Sequence, residues 1–261
     1  MILSGEDFIP WIERHYHMKL DGFALAATTN DLTREPEARE AANVLEFRMD
    51  SAQDPIGQLR EYDGALPIIA TNRTKWFGGE ANDTGRLDRL AAASRFDAVE
   101  LVDIELETAR AMGWILNEFR QNNVKLIISH HDFKETPDQD VLDAIFEQCA
   151  QYGDVAKVAT YPQNNDDVLR LLKAIGTATN DGMNVAGISM GGIGSHSRAV
   201  APLYGSKLGY APLASDTNEY APGQIPLKKL SVLVEILQTA SEDVDELESL
   251  TEKLVDRETF A

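Results

Sequence analysis

The stretch VLEFRMD, residues 44–50, alternates apolar and charged positions without a break. Side chains along a β-strand point to opposite faces in turn, so Glu46, Arg48 and Asp50 share one face while Leu45, Phe47 and Met49 share the other. Two folds accommodate such a strand. It is either an edge strand with one wet face, or a strand of a closed barrel. In a barrel the apolar face meets an outer layer of helices and the charged row points inward, toward the mouth. What lies on either side of residues 44–50 chooses between them.

Seven further short β-rich runs flank it, at 22–28, 67–72, 98–104, 124–130, 154–160, 184–190 and, weakest, 207–211. Stretches with helical spacing lie between them, such as LDRLAAASRF at 87–96 and VLRLLKAIGTA at 168–178, and an amphipathic stretch after Gln224 supplies an eighth helix. Eight strands alternating with helices imply parallel pairing through right-handed crossovers. With 261 residues available, against the ~250 that a (β/α)8 barrel typically needs, the expected architecture is α/β, a single (β/α)8 TIM barrel. Its core spans about 22–240, with 1–20 and 241–261 as peripheral extensions of one domain spanning 1–261.

Composition narrows the function. Lys and Arg total 24 against 43 acids, a net charge of −19. Such a surface repels phosphate backbones and anionic membranes, so neither nucleic acid nor membrane is an expected partner. Recurrent apolar runs argue against an acidic disordered chain. An acidic skin over a folded core fits a halophilic protein, as does the use of 14 arginines against 10 lysines. The single cysteine, Cys149, rules out an intramolecular disulfide framework and suits a reducing cytoplasm. No apolar run approaches a membrane span. Glu6, Asp7, Glu13 and Arg14 make the first residues unlike a signal peptide, so the expected location is cytoplasmic.

In a (β/α)8 barrel the chemistry collects at the C-terminal strand ends, and the unusual residues fall there. Beside Glu46 and Arg48, the third run ends with Ile69, Thr71 and Arg73 on one face. The sixth run, DVAKVAT, carries Lys157 amid small apolar residues. A lysine there is either an ordinary ion-paired residue or a nucleophile toward carbonyls, since burial and nearby cations favour the neutral amine of a lysine. The fifth run ends in IISHHDF, residues 127–133, with two of the five histidines side by side. Ile127, Ser129 and His131 share one face, and Ile128, His130 and Asp132 the other. Both histidines are therefore not expected to serve one site, and alternation alone does not say which face is inward.

Taken together, LEFRMD, SHHDF, AKVAT, SMGGIGSHSR and APGQI resemble the type I 3-dehydroquinate dehydratase family, whose patterns E-x-R-x-D, S-x-H-D-F, a sixth-strand lysine, S-M-G-x-x-G-x-x-S-R and A-P-G-Q occur here in order over roughly 22–240. The resemblance implies a (β/α)8 barrel, a homodimer, no metal and no organic cofactor. It also implies conversion of the small anion 3-dehydroquinate to 3-dehydroshikimate in the shikimate pathway of aromatic amino-acid biosynthesis. It assigns imine formation to Lys157 and proton transfer to His131, which makes Ser129 and His131 the inward pair and leaves His130 structural. Arg198 is implied to pair with the substrate carboxylate, and Glu46, Arg48, Arg73 and Gln224 to contact ring hydroxyls and carboxylate.

The chain departs from the family twice. Phe77 occupies the position where a glutamate partner for the histidine is common, leaving Glu80 and Asp50 as candidate substitutes, and Tyr220 stands where a serine is frequent. Two other readings stay open. A class I aldolase also uses a barrel lysine, and GGIGSHS resembles a phosphate cradle, although that class does not explain Arg48, Arg73 and Arg198 together. A non-catalytic barrel would need neither the lysine nor the histidine.

The acid excess predicts a salt requirement. Clustered carboxylates repel one another, and at 1 M salt the Debye length falls to roughly 3 Å. Thermal melts across a KCl series into the molar range should show a rising melting temperature; a flat or falling trend would contradict the reading.

Overall fold

The β-rich runs become eight strands because each offers one apolar face to helices and another to its own ring. In the computed structural model, which describes residues 18, 20–213 and 221–239, they are β1 (Ala24–Thr29), β2 (Val44–Arg48), β3 (Ile68–Thr71), β4 (Val99–Glu105), β5 (Lys125–His131), β6 (Val155–Thr160), β7 (Val185–Ser189) and β8 (Leu208–Pro212). All pairings are parallel. The order is β7-β6-β5-β4-β3-β2-β1-β8. A bridge between Val185 and Ser206, with the Lys207 N–H donating to the Val185 carbonyl at 2.7 Å, draws the two outer strands together. The result is a nearly closed (β/α)8 barrel.

The helices are α1 (Pro55–Glu61), α2 (Arg86–Ala93), α3 (Leu106–Ala111), α4 (Gly113–Gln121), α5 (Gln139–Ala150), α6 (Asn165–Asn180), the short α7 (Gly191–Gly194) and α8 (Ser197–Val200), and α9 (Leu227–Gln238). Two connections depart from the simple rhythm. A single 3₁₀ stretch, Leu32–Glu37, joins β1 to β2, and the glycine-rich segment after β7 breaks into α7, α8 and a 3₁₀ turn at Ala201–Tyr204. α6 is the longest helix among the described residues, and its start is well specified. The Asn164 side chain accepts from the Asp167 N–H, and Asp166 and Asp167 lie where the helix dipole favours negative charge. α6 packs so closely on β7 that a Cβ on Gly187 would lie 2.3 Å from Ile175 Cδ1.

The strands divide the apolar residues into two cores. The larger lies between barrel and helices, where Phe47, Leu90, Phe119, Phe146, Leu171 and Ile175 are fully or almost fully buried. The smaller fills the barrel itself and includes Val44, Ile69, Leu101, Ile127, Val155 and Ala186.

That inner set settles which way each strand faces. Two residues further along, the same faces carry Glu46, Thr71, Asp103, Ser129 and Lys157. The barrel interior is thus layered, apolar at the floor and polar at the mouth. Met18, expected outside the barrel rhythm, is buried in the inner core. Its carbonyl accepts from Lys125 Nζ at 2.6 Å, and its N–H donates to the Glu100 carboxylate. Residues 1–17 and the expected extension 241–261 lie outside the described residues.

Candidate active site

Period-two geometry brings charged and polar side chains from most of the strands to the mouth, while β7 contributes the apolar Ala186 and Ile188. From β2, Glu46 accepts hydrogen bonds from Thr28 Oγ1 of β1 at 2.9 Å and Thr71 Oγ1 of β3 at 3.2 Å. Arg48 forms a forked pair with Asp50 at 2.9 and 2.6 Å. Just beyond β3, Arg73 reaches inward to Asp103 of β4 at 2.8 Å, to Ser129 Oγ at 3.1 Å and to His131 Nδ1 at 3.3 Å. Lys157 of β6 donates to Asp103 Oδ2 at 2.9 Å and lies 4.0 Å from Glu46 Oε1. Its ammonium also sits 3.8 Å from the centre of the Tyr210 ring of β8.

Asp103 is the hub of this arrangement. One of its oxygens accepts from Arg73 and, at 2.6 Å, from Ser129; the other accepts from Lys157. Burial alone would push its carboxyl up, but the Arg73 and Lys157 charges hold it well below the usual carboxylate range. Reciprocally, burial opposes charge on Arg73 but Asp103, Glu105 and Glu46 outweigh it and strengthen the guanidinium. Glu105 is in turn anchored by Arg86 of α2 at 2.7 Å, and Arg86 also donates to the Asn72 carbonyl at 3.1 Å.

His131 is held differently. Burial, then the cations Arg73 and Lys157, push its pKa well below the ordinary 6.5. A guanidinium has donors only, so Nδ1 accepts from Arg73 and the proton of the neutral ring sits on Nε2. Phe133 stacks beside it with ring centroids 6.0 Å apart. The expectation that Asp50 or Glu80 would stand in for the usual glutamate is not met. Asp50 is taken by Arg48 and by the Glu80 N–H at 3.1 Å, and among the described contacts neither carboxylate touches His131.

Arg198 comes from α8, at the close of the glycine-rich segment. The turn there is tight enough that a Cβ on Gly194 would lie 2.4 Å from the Ser189 carbonyl oxygen. Arg198 donates to the carbonyls of Gly223 at 3.0 Å, Pro222 at 3.2 Å and Tyr210 at 3.4 Å. Among the described residues it has no carboxylate partner, and burial lowers its pKa to about 10. Gln224 lies on the same loop and accepts from the Ala221 N–H at 3.3 Å. Tyr220 falls among residues outside the described set.

All seven side chains singled out in the sequence (Glu46, Arg48, Arg73, His131, Lys157, Arg198 and Gln224) line one cavity at the barrel mouth. His130 does not. It projects to the outer layer, where its Nδ1 meets Glu107 Oε1 of α3 at 3.2 Å. Sequence reasoning missed Asp103 and Glu105, although the last four residues of VELVDIE alternate as VLEFRMD does. It also missed Tyr210, which sits in the weakest run and carries no periodic signal. Among the described residues no three or more His, Cys, Asp or Glu side chains converge as metal ligands, and no helix is long and apolar enough to cross a membrane.

A (β/α)8 barrel whose mouth gathers a buried amine, a neutral imidazole and several guanidiniums has the makings of an enzyme barrel. The type I 3-dehydroquinase family model matches residues 25–241, and the chain belongs to that family of hydro-lyases. It is 45% identical over 228 residues to the 3-dehydroquinate dehydratase of Haloarcula marismortui, covering 85% of this chain and 99% of the relative. The Halobacterium salinarum 3-dehydroquinate dehydratase is 43% identical over 227 residues, covering 85% of this chain and all of the relative. Among solved structures, 3-dehydroquinate dehydratase from Geobacillus kaustophilus superposes with a TM-score of 0.76 at 30% identity, covering 85% of this chain and 93% of that one. Type I 3-dehydroquinate dehydratase from Clostridium difficile gives 0.71 at 26% identity, covering 83% and 93%.

The depressed pKa of His131 has a consequence for stability. Below pH 6.5 the unfolded chain takes up a proton on this histidine that the folded chain refuses, so stability present above 6.5 is lost as pH falls. Asp103 adds its own loss only in the carboxylate range, below about 4. Melts of the protein between pH 7 and about 4.5 should therefore decline less steeply for His131→Gln than for the parent. Equal slopes would show that the folded chain does not hold His131 as a neutral ring.

Proposed function

We propose that the chain dehydrates 3-dehydroquinate to 3-dehydroshikimate through an imine on Lys157, with His131 carrying protons. The observation that carries this reading is the placement of Lys157 Nζ and His131 on neighbouring strands, facing one cavity. Ser129 is paired with Lys157, and His131 with Ala159. The 3-dehydroquinate dehydratases of the halophilic relatives support the substrate. The Clostridium difficile enzyme, solved with covalently modified comenic acid, is consistent with covalent chemistry in this family.

The chemistry follows from the residue types. Lys157, after giving up a proton, adds to the C3 ketone of the substrate; loss of the carbonyl oxygen as water leaves an iminium. That group is a better electron sink than the ketone, so it acidifies the neighbouring C2–H. Once the long 3.3 Å contact with Arg73 gives way, the ring proton can shift to Nδ1. The neutral His131 ring then offers Nε2 to take the C2 proton and return it to the departing C1 hydroxyl, which leaves as a second water. Hydrolysis of the iminium then restores Lys157.

Arg198 supplies the grip on the substrate carboxylate. A guanidinium has five N–H donors. Three of them, one each on Nε, Nη1 and Nη2, are bound to carbonyls, so two remain, one on each terminal nitrogen. Such a fork is what a carboxylate binds in bidentate fashion. Glu46, Arg48, Arg73 and Gln224 complete the lining against ring hydroxyls. The resemblance also supports a homodimer and a cytoplasmic location, with no metal or organic cofactor in the reaction.

Absorbance of the conjugated enone on adding 3-dehydroquinate tests the activity, and borohydride trapping with mass spectrometry tests the covalent step. Lys157→Ala should lose both adduct and turnover. His131→Ala should lose ~10²–10⁴-fold in turnover yet still trap ligand on Lys157. His130→Ala should stay within a few-fold of the parent. An adduct mapping to another lysine, or a folded but dead His130→Ala, would overturn the assignment.

Arg198→Ala should weaken turnover by on the order of 2–5 kcal/mol. It should also lower the melting temperature, since the Gly223, Pro222 and Tyr210 carbonyls lose their donor, but the chain should still fold at the assay temperature. Unchanged kinetics would remove Arg198 from the site.

A further inference from the structure

Tyr210 is the inward residue at the mouth end of β8 and lines the same cavity as Lys157 and His131. It is 4% exposed. Its hydroxyl is buried and has no hydrogen-bond partner among the described residues. A buried hydroxyl is normally paired, and a phenylalanine would fill the same space without leaving a donor unmatched. The hydroxyl therefore calls for an explanation that packing does not supply.

The surroundings say what kind of partner is missing. The anionic groups nearby hold other donors and do not take this one: Asp103 receives Arg73, Ser129 and Lys157, Glu46 receives two threonine hydroxyls, and neither bonds the phenol. The donor is thus left for a bound molecule. The ring lies under Lys157, with Nζ 3.8 Å from its centroid. An oxygen borne on a carbon bonded to Nζ is two bonds away from that nitrogen, which brings it within reach of the phenol at the ring's rim. Burial, together with the negative charges of Asp103 and Glu46, pushes the phenol well above its ordinary pKa of 10. It stays protonated and acts as a donor.

We propose that Tyr210 is a further catalytic residue, its hydroxyl donating a hydrogen bond to the ketone oxygen as Lys157 adds to the ketone carbon. This rests on the Schiff-base reading given under Proposed function. In the step, the Nζ lone pair forms the C–N bond and the C=O π pair moves onto oxygen. Counted from the ammonium, one proton leaves Nζ before the attack and one after it; both end on that oxygen, which departs as water and leaves the N-protonated iminium. Tyr210 gives up no proton. It stabilises the charge that develops on oxygen, in the manner of an oxyanion-hole donor.

Tyr210→Phe removes the hydroxyl and keeps the ring. The test measures its melt, its steady-state kinetics and the rate at which borohydride fixes 3-dehydroquinate to Lys157, beside the parent and Lys157→Ala. The expected result is a parent-like melting temperature, with kcat and the trapping rate both reduced by on the order of 10²-fold and KM little changed. If the parent traps adduct on Lys157 and Tyr210→Phe traps it equally fast, this proposal falls and the Schiff-base reading stands. If the parent traps none, that reading fails and takes this one with it. A Tyr210→Phe chain that melts far below the parent would also overturn the proposal, because the hydroxyl would then serve the fold.

Discussion

Everything at the mouth of this barrel depends on the Asp103 carboxylate. An isolated buried charge is prohibitively costly, yet β3, β4 and β6 each bring one inward. Asp103 makes them tolerable by receiving Arg73 and Ser129 on one oxygen and Lys157 on the other. Removing one member of such a set strands its partners, which is typically far more damaging than replacing the whole set. The same contacts fix Lys157 Nζ in the cavity and keep Arg73 against the Nδ1 side of His131. Stability and reactivity at the site are therefore properties of one charge network.

Much of this was legible from residue spacing. Period-two alternation in VLEFRMD, continued by seven further runs, was enough to call the barrel, and parity separated His130 from His131 without saying which faced in. The inner apolar core resolves that choice, because Ile127 belongs to it and shares a face with His131. Arg198 was readable only through resemblance, since its place in the mouth depends on a glycine-rich turn rather than on a strand. The partner of His131 was not readable at all. Phe77 removes the usual carboxylate from the sequence, and nothing in the spacing announces that Arg73, from another strand, faces the ring instead. Tyr210 was missed because a single tyrosine in a weak strand looks like any packing residue.

The chain's net charge of −19 and the anionic substrate proposed for it are compatible because the charges involved act over different distances. The acids are spread over a surface that salt screens within roughly 8 Å at physiological ionic strength. Inside the cavity, Arg198 offers two donors at contact distance, in a setting where burial has removed competing water.

The opposite facing of two neighbouring histidines makes strand register a carrier of chemical information. His130 and His131 differ by one peptide unit, yet one meets Glu107 among the helices and the other meets Arg73 in the cavity. A single-residue insertion or deletion within β5 would exchange them, turning Ile128 and His130 into the barrel and the imidazole of His131 out among the helices. The sequence would still contain every functional residue, and a motif search would still find them nearly in place. Side-chain substitutions can be accepted here one at a time, whereas length changes inside the strand invert a whole face at once. Drift in such barrels is thus confined to the loops, where added residues shift no parity.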